Sequence, residues 1–144
     1  MPRNQKDVTF DLPMLMHDTV GNAAAGRGFV GVGARIIDLG ASRMDGRVIF
    51  DLRTVGAAAN DLVTVVFQLS NTAAMNAGLQ NGGAVMWGDV LVNAQSADTV
   101  VPLHQELGVT NEISGTTYRY CGLWIIIAGG TSAAAFNAYL VKDA

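Results

Sequence analysis

The pattern of residues 34–144 constrains the fold more than any other feature of the sequence. Short apolar runs are separated there by Gly, Asn, Asp and Ser. Within several runs the apolar residues recur at every second position, as in a strand with one buried face. No stretch keeps the 3.6-residue period of an amphipathic helix. This pattern predicts an all-β fold of antiparallel strands without helical crossovers.

The alternation also gives approximate strand positions. The predicted strands cover residues 36–39, 47–55, 62–70, 84–92, 100–107, 118–127 and 134–141. Asp45-Gly46 is a dipeptide that favours a tight turn, so we expect the first two strands to form a hairpin. Pro102 has no backbone N–H, which places its strand at the edge of a sheet.

The strand at 118–127 is apolar on both faces, which is typical of a strand that is covered on both sides. In a two-sheet antiparallel β-sandwich, the opposing sheet covers one face. The N-terminal segment, a loop or another subunit would cover the other face, which includes Trp124 and Ile126. A jelly-roll type of sandwich is expected. The alternative is an immunoglobulin topology, although the sequence lacks its Cys, Trp, Cys signature.

Residues 1–33 differ from the rest, because an apolar segment is followed by a run rich in Gly and Ala. Apolar residues of the first segment recur at every second position: Phe10, Leu12, Met14 and Met16. Pro13 disfavours the interior of a sheet. We interpret residues 1–33 as an extended arm and flexible joint, before a single domain at 34–144. The four apolar side chains are expected to bind a partner, with the chain's own core as the alternative.

Composition bears on the partners of the chain. Half of the residues are hydrophobic and only 15% are charged, which is more apolar surface than one small core needs. We therefore expect a homodimer or homotrimer. The formal charge of −3 without long runs of like charge argues against nucleic acid. Residues 122–128 form the most apolar run, which is too short to span a membrane, and no secretory signal precedes it. Synthesis in the cytoplasm is expected.

No residue pattern predicts a catalytic centre. Residues 26–31 match the spacing of a dinucleotide-binding motif, but the helix that such a motif requires does not follow. His17 and His104 lack partners at metal-binding spacing, and Cys121 is the sole cysteine, expected to be a buried, inert thiol. We expect no enzymatic activity, no cofactor and no metal. A small hydrolase that depends on His104 is the enzymatic alternative.

Glycosidase chemistry needs a pair of carboxylates in an aromatic-lined cleft, and Asp89, which is close to Trp87, is only one such residue. An indole ring can instead form a stacking platform for a sugar. A jelly-roll module that binds carbohydrate through Trp87 or Trp124 is therefore the main alternative to a protein-binding role. A Trp in an alternating strand is more often part of the core.

Several segments share a pattern with a known family. They are IDLG at 37–40, FDLRTV at 50–55, LVTVVFQLS at 62–70, VPLHQELG at 101–108 and TYRYCGLWIIIAGGTSAAAFNAYLVKD at 117–143. From Ile36 onward the chain resembles the capsid cement, or decoration, proteins of tailed bacteriophages that have a small jelly-roll fold. This resemblance implies a non-catalytic virion protein that forms small symmetric oligomers on the outer surface of the major capsid protein lattice. It implies no cofactor. A carbohydrate-binding module of a phage tail or fibre is the alternative.

Overall fold

The described strands account for most of the structure, and the predicted all-β fold is confirmed. A computed structural model describes residues 15–18, 26–30, 33–54, 62–73, 75, 85–95, 103–128 and 135–143. The strands are β1 Leu15–His17, β2 Gly26–Arg27, β3 Phe29–Val30, β4 Gly33–Ala34, β5 Ile37–Asp38, β6 Asp45–Thr54, β7 Leu62–Ser70, β8 Trp87–Gln95, β9 Leu103–Thr110, β10 Glu112–Ile113, β11 Thr116–Thr117, β12 Tyr120–Ala128 and β13 Ala135–Lys142. The described residues contain no helix.

Two antiparallel sheets carry the architecture. The first sheet has the strand order β1-β13-β6-β9. The second has the order β2-β12-β7-β8, and β5 also pairs with β12. Two short pairs, β3 with β4 and β10 with β11, lie outside these sheets.

One hydrophobic core lies between the two sheets, as in a β-sandwich. In β6 the alternate residues Val48, Phe50 and Leu52 are buried, while Arg47 and Arg53 on the other face are exposed. The facing sheet contributes alternate residues of β7 and β12 to the same cluster: Val63, Val65, Phe67, Leu69, Cys121, Leu123 and Ile125. The period-2 pattern of the sequence therefore corresponds to burial, as strand geometry requires.

The predicted hairpin at Asp45-Gly46 is wrong. Both residues lie inside β6, where they pair with β9, and Gly46 also pairs with β13. The segment at 37–38 pairs with β12 in the other sheet, so it cannot be the hairpin partner of β6. A Cβ atom on Gly46 would lie 2.4 Å from the backbone oxygen of Val141. Glycine is therefore used here for close packing of two strands, and not for a turn.

Asn111 fixes the connection that crosses from the second sheet to the first. Its side chain is fully buried. Its Oδ1 accepts a hydrogen bond from the Met44 N–H at 2.6 Å. Its Nδ2 donates to the backbone oxygens of Ser42 at 3.1 Å and Tyr118 at 2.9 Å. One amide side chain thus ties the start of β6 to the residues before β12.

Parts of the segment predicted as an arm and joint belong to the sandwich. β1 pairs with β13, and β2 pairs with β12. Met16 is only 1% exposed and belongs to the core cluster, so the prediction that it contacts a partner is wrong. For Met16, the chain's own core is the contact, which was the alternative interpretation. Phe10, Leu12 and Met14 lie outside the described residues.

Candidate functional site

The candidate site is a groove between β8 and β9, which are edge strands of the two sheets in the described structure. Among the described strands, β8 is at one end of the second sheet and β9 is at one end of the first. The edge position expected for the strand that follows Pro102 is therefore confirmed for β9, although Pro102 itself lies outside the described residues. Between β8 and β9 is a groove of about 200 Å³, with Phe67 of β7, Val109 and Ile113 in its lining.

β8 contributes Trp87, Asp89 and Leu91 to the lining of the groove. Trp87 and Asp89 pair with Leu69 and Phe67 of β7, whose side chains are in the core, so both residues are on the inner face of their sheet. After Val90 the register with β7 shifts, which makes Leu91 the extra residue of a β-bulge. The bulge explains why Leu91 also faces the groove.

Asp89 gives the groove its charge. It is the one charged residue among the described residues that line the groove, and it is exposed to solvent. Trp87 is half-buried and packs against the core, so part of its ring is accessible. The structure therefore brings together the two residues that the sequence singled out. Their arrangement offers an apolar surface beside a hydrogen-bond acceptor, which suits a polar ligand with an apolar face.

The outer face of β8 is the most apolar exposed surface of the described residues. Met86, just before β8, is 51% exposed and Val90 is 57% exposed; they are the large exposed hydrophobic residues of the described part. Val90 pairs with Val66, which is buried on the outer face of β7. This surface was not predictable from the sequence pattern, because an apolar residue at an alternating position of a strand is normally assigned to the core.

The outer face of β12, which was expected to meet a loop, the N-terminal segment or another subunit, is partly covered by the chain itself. The Arg27 guanidinium carbon lies 5.2 Å from the centre of the Trp124 ring, a cation–π contact. Nη1 of Arg27 donates to the Leu123 oxygen at 3.0 Å, and Nη2 donates to the Met75 oxygen. Trp124 and Ile126 are half-buried. That they contact a partner stays a prediction.

The covering of β12 buries polar groups. Arg27 is 8% exposed, and this burial lowers the pKa of its guanidinium to about 10, because desolvation disfavours the charged form. Gln68 is fully buried on the same face, in register with Gly122, and neither of its amide atoms has a hydrogen-bond partner among the described residues. A Cβ atom on Gly122 would lie 3.1 Å from Nη1 of Arg27, so the glycine makes room for the guanidinium.

The residues weighed for catalysis have different surroundings in the fold. Cys121 is buried in the core, and burial raises the pKa of its thiol to about 12, as expected for an inert cysteine. His17 is buried and stacks on Phe136 with ring centres 4.2 Å apart. His104 is exposed on β9, with Nε2 4.0 Å from a carboxylate oxygen of Glu106. The described residues include no group of three or more His, Cys, Asp or Glu side chains placed to hold a metal.

No protein-family model matches the chain, and no curated protein matches it. The described residues also contain no helix long and apolar enough to cross a membrane.

Proposed function

We propose that this chain is a non-enzymatic structural protein of a phage virion. It binds the outer surface of the capsid and stabilises the shell by bridging neighbouring subunits of the major capsid protein. Its sandwich would be of the jelly-roll type, and its partners would be the capsid lattice and further copies of itself. After synthesis in the host cytoplasm, the protein would reside on the outer capsid surface without a cofactor, and without nucleic acid or membrane as partners.

The observation that carries this proposal is the side of the sandwich formed by β8 and β9. Exposed apolar residues, Met86 and Val90, lie beside a groove lined largely by apolar side chains and beside strand edges that have no second neighbour among the described strands. Such surfaces suit binding to other proteins. The all-β sandwich architecture and the resemblance to cement proteins support the same role. A repeated attachment of modest affinity stabilises a shell, because each interface must be broken before neighbouring subunits separate.

Sedimentation of the full chain with assembled shells tests the proposal. Shells assembled without this protein should bind it up to a fixed stoichiometry and then resist heat better than undecorated shells. Replacing Asp89 by Asn changes the charge of the groove at almost constant volume, and replacing His104 by Gln alters an exposed side chain on β9. If the groove contacts the shell, Asp89→Asn changes the affinity more than His104→Gln does. A wild-type chain that stays in the supernatant at every concentration contradicts the proposal.

A carbohydrate-binding module of a phage tail or fibre is the second candidate. It is favoured by one observation, which is that Trp87 and Asp89 line the same groove. The Trp124 ring is a poorer platform, because the Arg27 guanidinium lies against it. Titration with an array of glycans should then give saturable binding that is lost in Trp87→Ala and kept in Trp124→Ala. A chain that binds no glycan but sediments with shells would contradict the carbohydrate-binding candidate and support the cement role.

A further inference from the structure

We propose that β8 pairs antiparallel with the β8 of a second copy of this chain, so that two five-stranded sheets join across a two-fold axis. This inference deepens one part of the proposed function, which is self-association, and it does not depend on attachment to a shell. It also selects between the two expected oligomers, because this pairing gives a dimer.

The edge of β8 lacks the features that usually keep an edge strand from pairing with another chain. β8 has nine residues, WGDVLVNAQ, and β7 is its one neighbour among the described strands. One row of backbone N–H and C=O groups therefore lacks a strand partner within the described structure, and such a row is a template for another strand. Edge strands that remain monomeric usually carry Lys, several charges or Pro. β8 has none of these, and Asp89 is its one charged residue.

β9, the edge strand of the other sheet, differs from β8 because it carries exposed ionisable residues. His104 and Glu106 are exposed along β9, and Glu106 lies 3.7 Å from the guanidinium of Arg47 on β6. Pro102 precedes the strand in the sequence. These are the features by which natural sheets keep an edge in water. Of the long edges in the described structure, the one on β9 is therefore protected, whereas the one on β8 has no Lys, no Pro and one charged residue.

The low charge and the exposed apolar residues of β8 favour a second copy of this chain as its pairing partner. With a single Asp in nine residues, β8 can face its own copy with little repulsion between like charges. Pairing places the exposed Val90 side chain of each copy beside the partner strand, with Met86 next to the start of the junction, which reduces the exposure of the most exposed large apolar side chains described. At the other end of the sheet, β12 pairs with β2 and β5, which have two residues each. These short segments offer little template for a further sheet, so the pairing closes as a dimer.

Light scattering after size-exclusion chromatography tests the inference on the full chain. The wild type should have twice the chain mass of 15.1 kDa at micromolar concentration. Val90→Lys adds a charge at the proposed junction, so its mass should fall to that of the monomer. The matched control is His104→Lys, which adds the same charge on the edge of β9 and should stay dimeric. Met86→Lys provides a second test if Val90→Lys shows a lowered melting temperature.

Hydrogen exchange gives an independent readout of the same pairing. Backbone amides of β8 should exchange more slowly as the wild-type concentration rises, while amides of β9 should not respond. A monomeric wild type, a trimer, or a dimer that survives both lysine substitutions with unchanged exchange would overturn the inference. These results are separate from shell binding. A monomeric Val90→Lys that still sediments with shells supports the inference and assigns attachment to the groove and not to Val90, whereas a dimeric wild type that never sediments contradicts the attachment role alone.

Discussion

Replacing Gly46 by Ala tests whether close packing of strands, and not a turn, accounts for this glycine. A Cβ atom at Gly46 would lie 2.4 Å from the backbone oxygen of Val141 and 3.2 Å from the Cα atom of Lys142. Gly108, on the neighbouring strand β9, is the matched control, because a Cβ atom there would have no heavy atom within 4 Å. Both substitutions add the same methyl group to a strand of the same sheet.

The expected magnitudes follow from these distances. Replacing Gly by Ala at an open position stabilises a protein by roughly 0.4–1 kcal/mol, because the unfolded chain loses freedom. At Gly46 the strands must separate, and inserting atoms into packed structure costs about 1–3 kcal/mol. The neighbouring atoms are backbone, so we expect the upper part of that range and a net loss of about 2 kcal/mol. Gly46→Ala and Gly108→Ala should then differ by about 2.5 kcal/mol.

Thermal unfolding followed by circular dichroism measures this difference. For a chain of this length, 1 kcal/mol corresponds to about 2–4 °C in melting temperature, so the two variants should differ by roughly 5–10 °C. Urea unfolding of both variants gives the free energies directly. The packing argument is refuted if Gly46→Ala melts at or above the wild-type temperature. A large loss in Gly108→Ala would show that the methyl group itself, and not its surroundings, causes the effect.

Three further predictions concern buried or paired side chains. Burial lowers the pKa of His17 to about 4 from its ordinary 6.5, because desolvation disfavours the charged imidazolium. The stability that depends on a neutral His17 is therefore fully present above pH 6.5 and is lost as the pH falls toward 4. Urea unfolding should show a loss of up to about 3 kcal/mol over this range that is reduced in His17→Phe. Hydrogen bonds from Arg119 hold the pKa of Asp38 at about 2, and an NMR titration should find it raised toward the ordinary value in Arg119→Gln. Asn111→Ala removes three hydrogen bonds and leaves the Met44 N–H unpaired, so it should lower the unfolding free energy by about 2–4 kcal/mol in urea.

The strands with strong alternation were predictable from the sequence. The strand predicted at 62–70 is β7 with the same bounds, and β6, β12 and β13 differ from their predicted positions by one or two residues. The strand predicted at 84–92 corresponds to β8, which begins at Trp87, and the described part of the strand predicted at 100–107 is in β9.

The errors have a common physical cause, which is that local chemistry does not determine which strands pair. Asp45-Gly46 favours a turn on its own, but pairing with β9 and β13 keeps both residues extended. The close packing of Gly46 on Val141 joins positions that are far apart in the sequence, so no local pattern could reveal it. Prediction of the groove from local sequence patterns is limited in the same way. Trp87 was a candidate sugar platform from the sequence, whereas its place in a groove with a second wall on β9 depends on the arrangement of two sheets.

The strand order has a consequence for synthesis of the chain. The second sheet is built around β12, which lies between β7 and the short strands β2 and β5, and the first sheet needs β13 between β1 and β6. These two strands occupy residues 120–142, so a ribosome must make most of the chain before either sheet can be completed. Until then the apolar faces of β6 and β7 lack their central partners. Exposed apolar strands favour aggregation, so the nascent chain is expected to depend on chaperones until those two strands emerge.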